Sequence, residues 1–265
     1  RFSVDAYVPQ GLSAPAPVVI ISHGFGDVQD SFAFVAEHLA SHGYVVVLPN
    51  HVGSDLRVRQ RFLNGFVNTI LSPSEFVSRP EEISFLIDEM EHWVETTEEG
   101  AALINPDQIG ILGDSLGGST ALGLAGAGSS FSFLEDACND NQLILNFSRY
   151  LQCQARFLPP QDRRLRDSRI KAAIASHPFG GSLYGPEGMS QIEVPLLMVS
   201  GSDDVVAPVV TEQIHPFVWT GSDQKYLAML TEGTHFTAKP GRAGAEGFFS
   251  LITGEHRDIG SRYFK

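Results

Sequence analysis

Basic residues are scarce in this chain: 18 Lys and Arg face 31 Asp and Glu, a formal net charge of -13. Nucleic acid and anionic membrane surfaces would repel it within a Debye length, which leaves neutral, hydrophobic or cationic ligands as partners. The same acidity also keeps a protein soluble, whatever it binds. Cysteine is rarer still, with only Cys138 and Cys153, both in one irregular segment. No histidine lies between them to complete a metal site. Two free thiols would suggest the cytosol, and a disulfide a periplasmic, thylakoid-associated or other oxidising setting; their confinement to that segment favours the disulfide. No apolar run approaches the roughly 18 residues of a membrane span. There is no internal repeat and no low-complexity tract. A starting methionine and a signal-peptide pattern are both missing, so a processed or trimmed piece of a longer product is expected from Arg1-Phe2-Ser3.

What is present suits a globular α/β domain. The 265 residues are 43% hydrophobic, enough for a sizeable core, and one α/β domain can hold them all. Val4 to Val8 alternates weakly, as an edge strand does. Val18 to Ser22, Tyr44 to Leu48, Ile109 to Leu112, Ile170 to Ser176, Leu196 to Ser200 and Lys225 to Leu230 are strand-like runs. Between them, Phe32, Val35, Ala36 and Leu39 recur at helical spacing and end at Gly43. Ile83, Leu86, Ile87, Met90 and Val94 form a second stripe, with Ser78 and Glu81 as its capping box. Such alternation predicts a mostly parallel sheet covered on both faces, with chemistry at the carboxyl ends of its strands.

Two segments break the alternation. Residues 52–77 hold Phe62, Leu63, Phe66, Val67, Ile70 and Leu71, and are expected to line a pocket. Residues 129–168 form a longer insertion with Phe131, Phe133, Leu134, Leu143 to Leu145, Phe147 and Leu151, closing on Pro159 and Pro160. A structureless loop of that length is rare in a compact domain, so helices of its own and a cap role are expected.

The chemistry centres on Gly113-Asp114-Ser115-Leu116-Gly117, set between an apolar strand run and a helix of small residues. A Gly-x-Ser-x-Gly in that setting is a nucleophile elbow, which holds the serine hydroxyl above the sheet edge. The partners should follow in the order acid, then histidine. Asp204 stands after the Leu196 run, and His235 after the Lys225 run. Asp204 would orient Nδ1 of His235 and leave Nε2 free to take the Ser115 proton. Asp203 competes as the acid, but the Gly-x-x-Asp turn with its apolar pair and Pro208 favours Asp204. Of nine histidines, His38, His42 and His92 fall on helices. His51 and His177 follow strands and are placed to line the pocket, but precede the acid. His256 has no strand to place it. An oxyanion hole needs two N–H groups, expected from Leu116 and from Phe25 in His23-Gly24-Phe25-Gly26. His23 is expected to brace that loop. Phe25, Asp114, Phe62, Phe66, His177 and Phe236 are the expected substrate contacts.

These residues together resemble an α/β-hydrolase over nearly the whole chain. His23-Gly24-Phe25, Ala40 to Val46, Gly113 to Gly118 and Asp204 to Pro208 are most similar to one group within it. That group includes platelet-activating-factor acetylhydrolases, dienelactone-hydrolase-like proteins, chlorophyllases and bacterial polyester hydrolases. The resemblance implies a serine esterase without cofactor or metal, working through an acyl-enzyme on a hydrophobic small-molecule ester. Most members carry His before the nucleophile. Asp114 in that place resembles the cyanobacterial version of chlorophyllase, which cleaves chlorophyll to chlorophyllide and phytol. Reaching a lipidic substrate would call for peripheral membrane association. The polyester hydrolases have an open cleft, so the 129–168 insertion speaks against that branch. The group usually ends in a helix after the histidine loop, and Ser261 to Lys265 resembles its start. A non-catalytic receptor that uses the same residues for ligand capture is the alternative of another class.

Lesser features have plainer explanations. Asn146-Phe147-Ser148 matches a glycosylation sequon by coincidence. Glu135, Asp136 and Asp140 make a solvated acidic face whose spacing fits no calcium loop. Trp93 and Trp219 are packing residues.

Overall fold

The computed structural model describes residues 2–67, 69–139, 146–159 and 165–237. Among the described residues seven strands form one sheet: β1 (Val4–Tyr7), β2 (Ala16–Ser22), β3 (Val45–Pro49), β4 (Ile104–Asp114), β5 (Ile170–Ser176), β6 (Leu196–Gly201) and β7 (Lys225–Leu230). Their spatial order is β1-β3-β2-β4-β5-β6-β7. Only the edge pair β1–β3 is antiparallel; the other neighbours run parallel.

Side-chain alternation along the strands decides which helix covers which face. Val18, Ile20, Val45 and Val47 point into the larger core, while Ile21, Val46 and Leu48 point into a smaller one on the other side. Helix α1 (Ala33–Ser41) supplies Ala36 to the smaller core and stops at Gly43, whose φ of +91° suits glycine alone. The larger core takes helix α3 (Glu75–Thr96) through Ile83, Ile87 and Met90, and helix α5 (Leu116–Ala125) through Leu122 and Leu124. Buried on both faces, the central strands read as continuous apolar runs.

The start of α3 differs from the expected capping box. The helix opens at Glu75, a turn before Ser78, and Ser78 Oγ donates to the Ser74 carbonyl at 2.7 Å. The N–H groups of its first turn are already satisfied by backbone carbonyls, Glu75 by Ser72, Phe76 by Pro73, and Val77 and Ser78 by Ser74, so no side-chain cap is called for. A short helix α4 (Glu98–Leu103) follows, with Thr97 Oγ1 accepting Gly100 N–H as its cap.

Both irregular segments carry helices. Residues 52–77 hold α2 (Leu56–Leu63), capped by Asp55, which accepts the N–H groups of Arg57 and Val58. The 129–168 insertion holds α6 (Phe131–Cys138), α7 (Phe147–Gln152) and a 3-10 turn over Cys153–Phe157. Cys138 and Cys153 are joined in a disulfide, and both are buried. Asn146 is buried and caps α7 by accepting Arg149 N–H. Glu135 and Asp136 are exposed on α6. Trp93 packs against the larger core, and Trp219 meets Phe133 edge-on. Beyond the insertion come α8 (Gly181–Met189), kinked at Gly185, and α9 (His215–Trp219). Asp140, Leu143 to Leu145, Pro160, His256 and the helix expected near Ser261 lie outside the described residues. No helix among the described residues is long and apolar enough to cross a membrane.

Candidate active site

Strands β2 and β4 are neighbours, with Ser22 level with Gly113, so the loop after β2 sits beside the turn after β4. That turn is tight. A Cβ on Gly113 would lie 1.9 Å from the Gly117 carbonyl oxygen, and one on Gly117 2.0 Å from that of Ser22. Only glycine fits either position. Ser115 itself has φ 56° and ψ -114°, a conformation an L-residue adopts at a cost of roughly 1–3 kcal/mol. The strain is local and is outweighed by the packing of α5 behind it, where all ten residues from Leu116 to Ala125 are buried.

Ser115 Oγ lies 2.9 Å from His235 Nε2, and His235 Nδ1 lies 2.8 Å from Asp204 Oδ2. The three come from the ends of β4, β6 and β7. The loops after β6 and β7 touch: a Cβ on Gly201 would lie 2.2 Å from the Gly233 carbonyl oxygen. Asp204 is buried, and its other oxygen accepts Val206 N–H at 2.9 Å and Ala207 N–H at 2.7 Å. Asp203 is exposed and accepts from Ser202 Oγ at 3.0 Å, away from the histidine. With Nδ1–H directed at a carboxylate, Nε2 can take a proton from the serine hydroxyl.

The loop after β2 is held from within. Arg79, fully buried on α3, donates through Nη1 to the His23 carbonyl at 2.7 Å and through Nε to Ser54 Oγ at 2.8 Å. Ser54 Oγ in turn donates to Glu75, and Gly26 N–H donates to the Ser54 carbonyl. His23 Nδ1–H donates to the Gly24 carbonyl at 2.8 Å, while Nε2 accepts His51 N–H at 3.0 Å. Accepting at Nε2 makes His23 a neutral brace with no proton to trade. His51 reaches Ser22 Oγ at 3.0 Å and Glu82 Oε2 at 2.7 Å. Burial, with the Arg79 guanidinium adding to it, holds the His51 imidazole well below its ordinary pKa. Burial, with Glu75 nearby, pushes the Glu82 carboxyl up to about 7.

A pocket opens beside Ser115, about 440 Å³ counting its open mouth, lined by Gly24, Phe25, Ser115, Phe147, Ser148, Leu151, Phe179, Val206, His235 and Phe236. Phe25 and Phe236, two of the expected substrate contacts, are among the lining residues. Leu116 opens α5, and its N–H is one of the helix's first, which have no intrahelical acceptor.

The other expected contacts are elsewhere. Asp114 is fully buried, with Oδ1 3.8 Å from His177 Nδ1, and does not line the cavity. Alternation along an extended chain turns the residue before an outward serine inward. His177 is also fully buried; its Nδ1 pairs with Ser176 Oγ at 2.9 Å and its ring packs 5.6 Å from that of His235. It backs the imidazole instead of facing the cavity. Phe66 is 74% exposed beyond the end of α2, and Phe62 lies half-buried on that helix, away from the cavity lining. Segment 52–77 instead buries Leu71 and Phe76, and Phe76 meets the cavity-lining Phe179 edge-on.

Phe147, Ser148, Leu151, Phe179 and Val206 complete the lining, and Arg79 braces the loop. Only Phe147 and Leu151 carried a signal, as apolar residues in an insertion long enough to cover something. Arg79 falls beside an apolar helical stripe, where a lone guanidinium is a hint of a buried partner.

No family model and no curated protein matches this sequence. Among solved structures, the chain is similar to the crystal structure of 2,6-dihydroxy-pseudo-oxynicotine hydrolase, with a TM-score of 0.56 and 16% identity. The match covers 88% of this chain and 58% of that one, so this chain spans less than two thirds of that protein's length. At that identity the likeness is one of architecture. Strand order, the strand–serine–helix turn and the covering helices agree with it: the chain has the α/β-hydrolase fold.

Proposed function

We propose that this protein is a serine carboxylic-ester hydrolase that acts on a bulky hydrophobic ester through an acyl-enzyme, without a cofactor. The observation that carries this is the unbroken run of hydrogen bonds from Asp204 through His235 to Ser115, ending at an apolar cavity. Ser115 Oγ attacks the ester carbonyl as its proton passes to His235 Nε2, and Asp204 stabilises the imidazolium. The oxygen that gains charge is received by the N–H groups of Phe25 and Leu116. His235 then protonates the departing alcohol, and a water deprotonated by the same nitrogen hydrolyses the acyl-enzyme.

The phytyl ester of chlorophyll is the specific substrate that the sequence resemblance supports. The apolar lining of the pocket suits a hydrophobic ester. Such a substrate would be met by peripheral contact with a membrane. The compact, aromatic walls also favour a second reading, a phospholipid acetylhydrolase with a short acyl group. Helix α7 beside the serine disfavours a polymer substrate, which needs an open cleft. The test begins with fluorophosphonate labelling, expected in the native protein and abolished by Ser115→Ala; an unlabelled native protein would make it a non-catalytic ligand receptor. A panel of esters that includes chlorophyll a then decides the substrate. Hydrolysis of short p-nitrophenyl esters without release of chlorophyllide would refute the chlorophyll assignment alone.

A further inference from the structure

One wall of the cavity is α7, which contributes Phe147, Ser148 and Leu151. At six residues, α7 is too short to hold itself together by its own hydrogen bonds. Its anchor is Glu212, in the turn Val210–Ile214, which is 1% exposed and lies outside the cavity lining. Glu212 Oε1 accepts from Ser148 Oγ at 2.9 Å and from Gln152 Nε2 at 3.0 Å. Oε2 accepts the N–H groups of Gly180 and Gly181, each at 3.0 Å. Gln152 Oε1 accepts those of Ser182 and Leu183, each at 2.9 Å. The carboxylate and the amide together satisfy the start of α8 and clamp α7 to it. The approach is close enough that a Cβ on Gly181 would lie 2.2 Å from the Thr211 carbonyl oxygen. The Cys138–Cys153 disulfide ties down the chain just past α7. Releasing any of these donors would leave a buried carboxylate short of partners, so the clamp does not yield easily.

We infer that Glu212 is a positioning residue for substrate selection: by fixing α7, it makes Phe147 and Leu151 an unyielding wall that sets the longest chain the cavity accepts. The inference rests on the proposed esterase activity and adds to it a limit on chain length. Each methylene that enters an apolar cavity improves binding until the chain meets the wall. Against a fixed wall the next methylene is refused, whereas a wall that can retreat lets selectivity fade gradually.

The test is kcat/KM for p-nitrophenyl esters of increasing acyl length, read as ratios between neighbouring lengths. Ratios cancel any loss of folded enzyme. The native protein is expected to show a fall of about tenfold or more at one step, the discrimination a fixed apolar pocket reaches for one or two methylenes. Leu151→Ala should move that step to longer chains. Glu212→Gln should flatten it although its side chain touches no substrate, and Ser148→Ala, which removes one donor and leaves the rest, should do so partially. If Glu212→Gln does not fold, Ser148→Ala and Leu151→Ala carry the test. A step unmoved by Leu151→Ala, or left as sharp by Ser148→Ala and Glu212→Gln, overturns the inference. Alkyl fluorophosphonates of the same lengths separate the two claims: labelling of Ser115 with no length dependence sinks the wall alone, and no labelling at any length sinks the esterase and the wall together.

Discussion

Asp204 meets His235 with one carboxylate oxygen while its other oxygen is already engaged: Oδ2 lies 2.8 Å from Nδ1, and Oδ1 accepts the N–H groups of Val206 and Ala207. An amide in this slot would place an NH2 group against N–H donors or against Nδ1–H. Asp204→Asn is therefore expected to leave the fold in place but favour the wrong imidazole tautomer, lowering kcat by about 10⁴-fold. Asp203→Asn, on an exposed side chain, should change kcat little. Steady-state kinetics on any accepted ester compares the two, and equal losses would move the acid's role elsewhere.

Arg79 stands behind the loop after β2, which we propose supplies one oxyanion-hole N–H. Burial lowers its guanidinium pKa to about 10, against the pull of Glu75, Glu82, Asp27 and Asp55, so it stays charged at neutral pH. Lysine has no planar fork to reach the His23 carbonyl and Ser54 together. Arg79→Lys should lower kcat by about tenfold or more with a smaller effect on KM, because the loop's N–H acts on charge formed in the transition state. Arg79 also pairs with buried Glu75, Nε to Oε2 at 3.8 Å, so Arg79→Ala should cost about 3–5 kcal/mol of stability by leaving that carboxylate without its cation. Thermal melts and kinetics on both variants check this. A change confined to KM would place Arg79 outside the oxyanion loop's support.

The His51–Glu82 contact gives stability a pH dependence with a definite sign. Glu82 titrates near 4.5 when unfolded and near 7 when folded. Between those values the folded protein keeps a proton that the unfolded chain has lost, so this group lowers stability as pH rises through the window. His51 acts in the opposite sense: the unfolded imidazole takes a proton as pH falls below 6.5, and the folded one resists. Glu82→Gln removes only the first effect and can still accept from His51. Its melting temperature relative to the native protein should therefore rise from about pH 5 to about pH 8. A difference that stays constant with pH would show that Glu82 does not carry the effect.

The disulfide spans a sequence separation of 15. A loop of that size restricts the unfolded chain by about 3 kcal/mol in the chain-entropy account. Replacing both Cys138 and Cys153 by serine should therefore lower the melting temperature by about 6–12 °C for a domain of this size. Differential scanning calorimetry reads the change. No shift would mean that segment 129–168 melts before the rest of the domain.

The seven strands, the elbow and the residues at the strand ends were legible because each is written in a few neighbouring residues. Val18 to Ile21 and Val45 to Leu48 are apolar without break because both faces of the sheet are covered. Gly113 and Gly117 announce a turn that no side chain would fit. Ser78 misled because a capping pattern is also local, while the true start of α3 is set by the carbonyls of Ser72, Pro73 and Ser74, which take its first N–H groups. Asp114 misled for a related reason: its type is informative, but its direction is set by the strand it ends. Phe62 and Phe66 stood in an apolar stretch whose buried members proved to be Leu71 and Phe76.

By itself, then, the sequence determined the α/β alternation, the order Ser115, Asp204, His235, and the strand ends that present them, since hydrophobic period and glycine turns act over short distances. Only the tertiary structure decided which side chains line the cavity and which charges stand behind it. Glu212 finds Gln152 across 60 residues of sequence and Arg79 finds His23 across 56. A buried charge takes whichever donors or acceptors the completed fold brings within reach. No local pattern can name a partner that far along the chain.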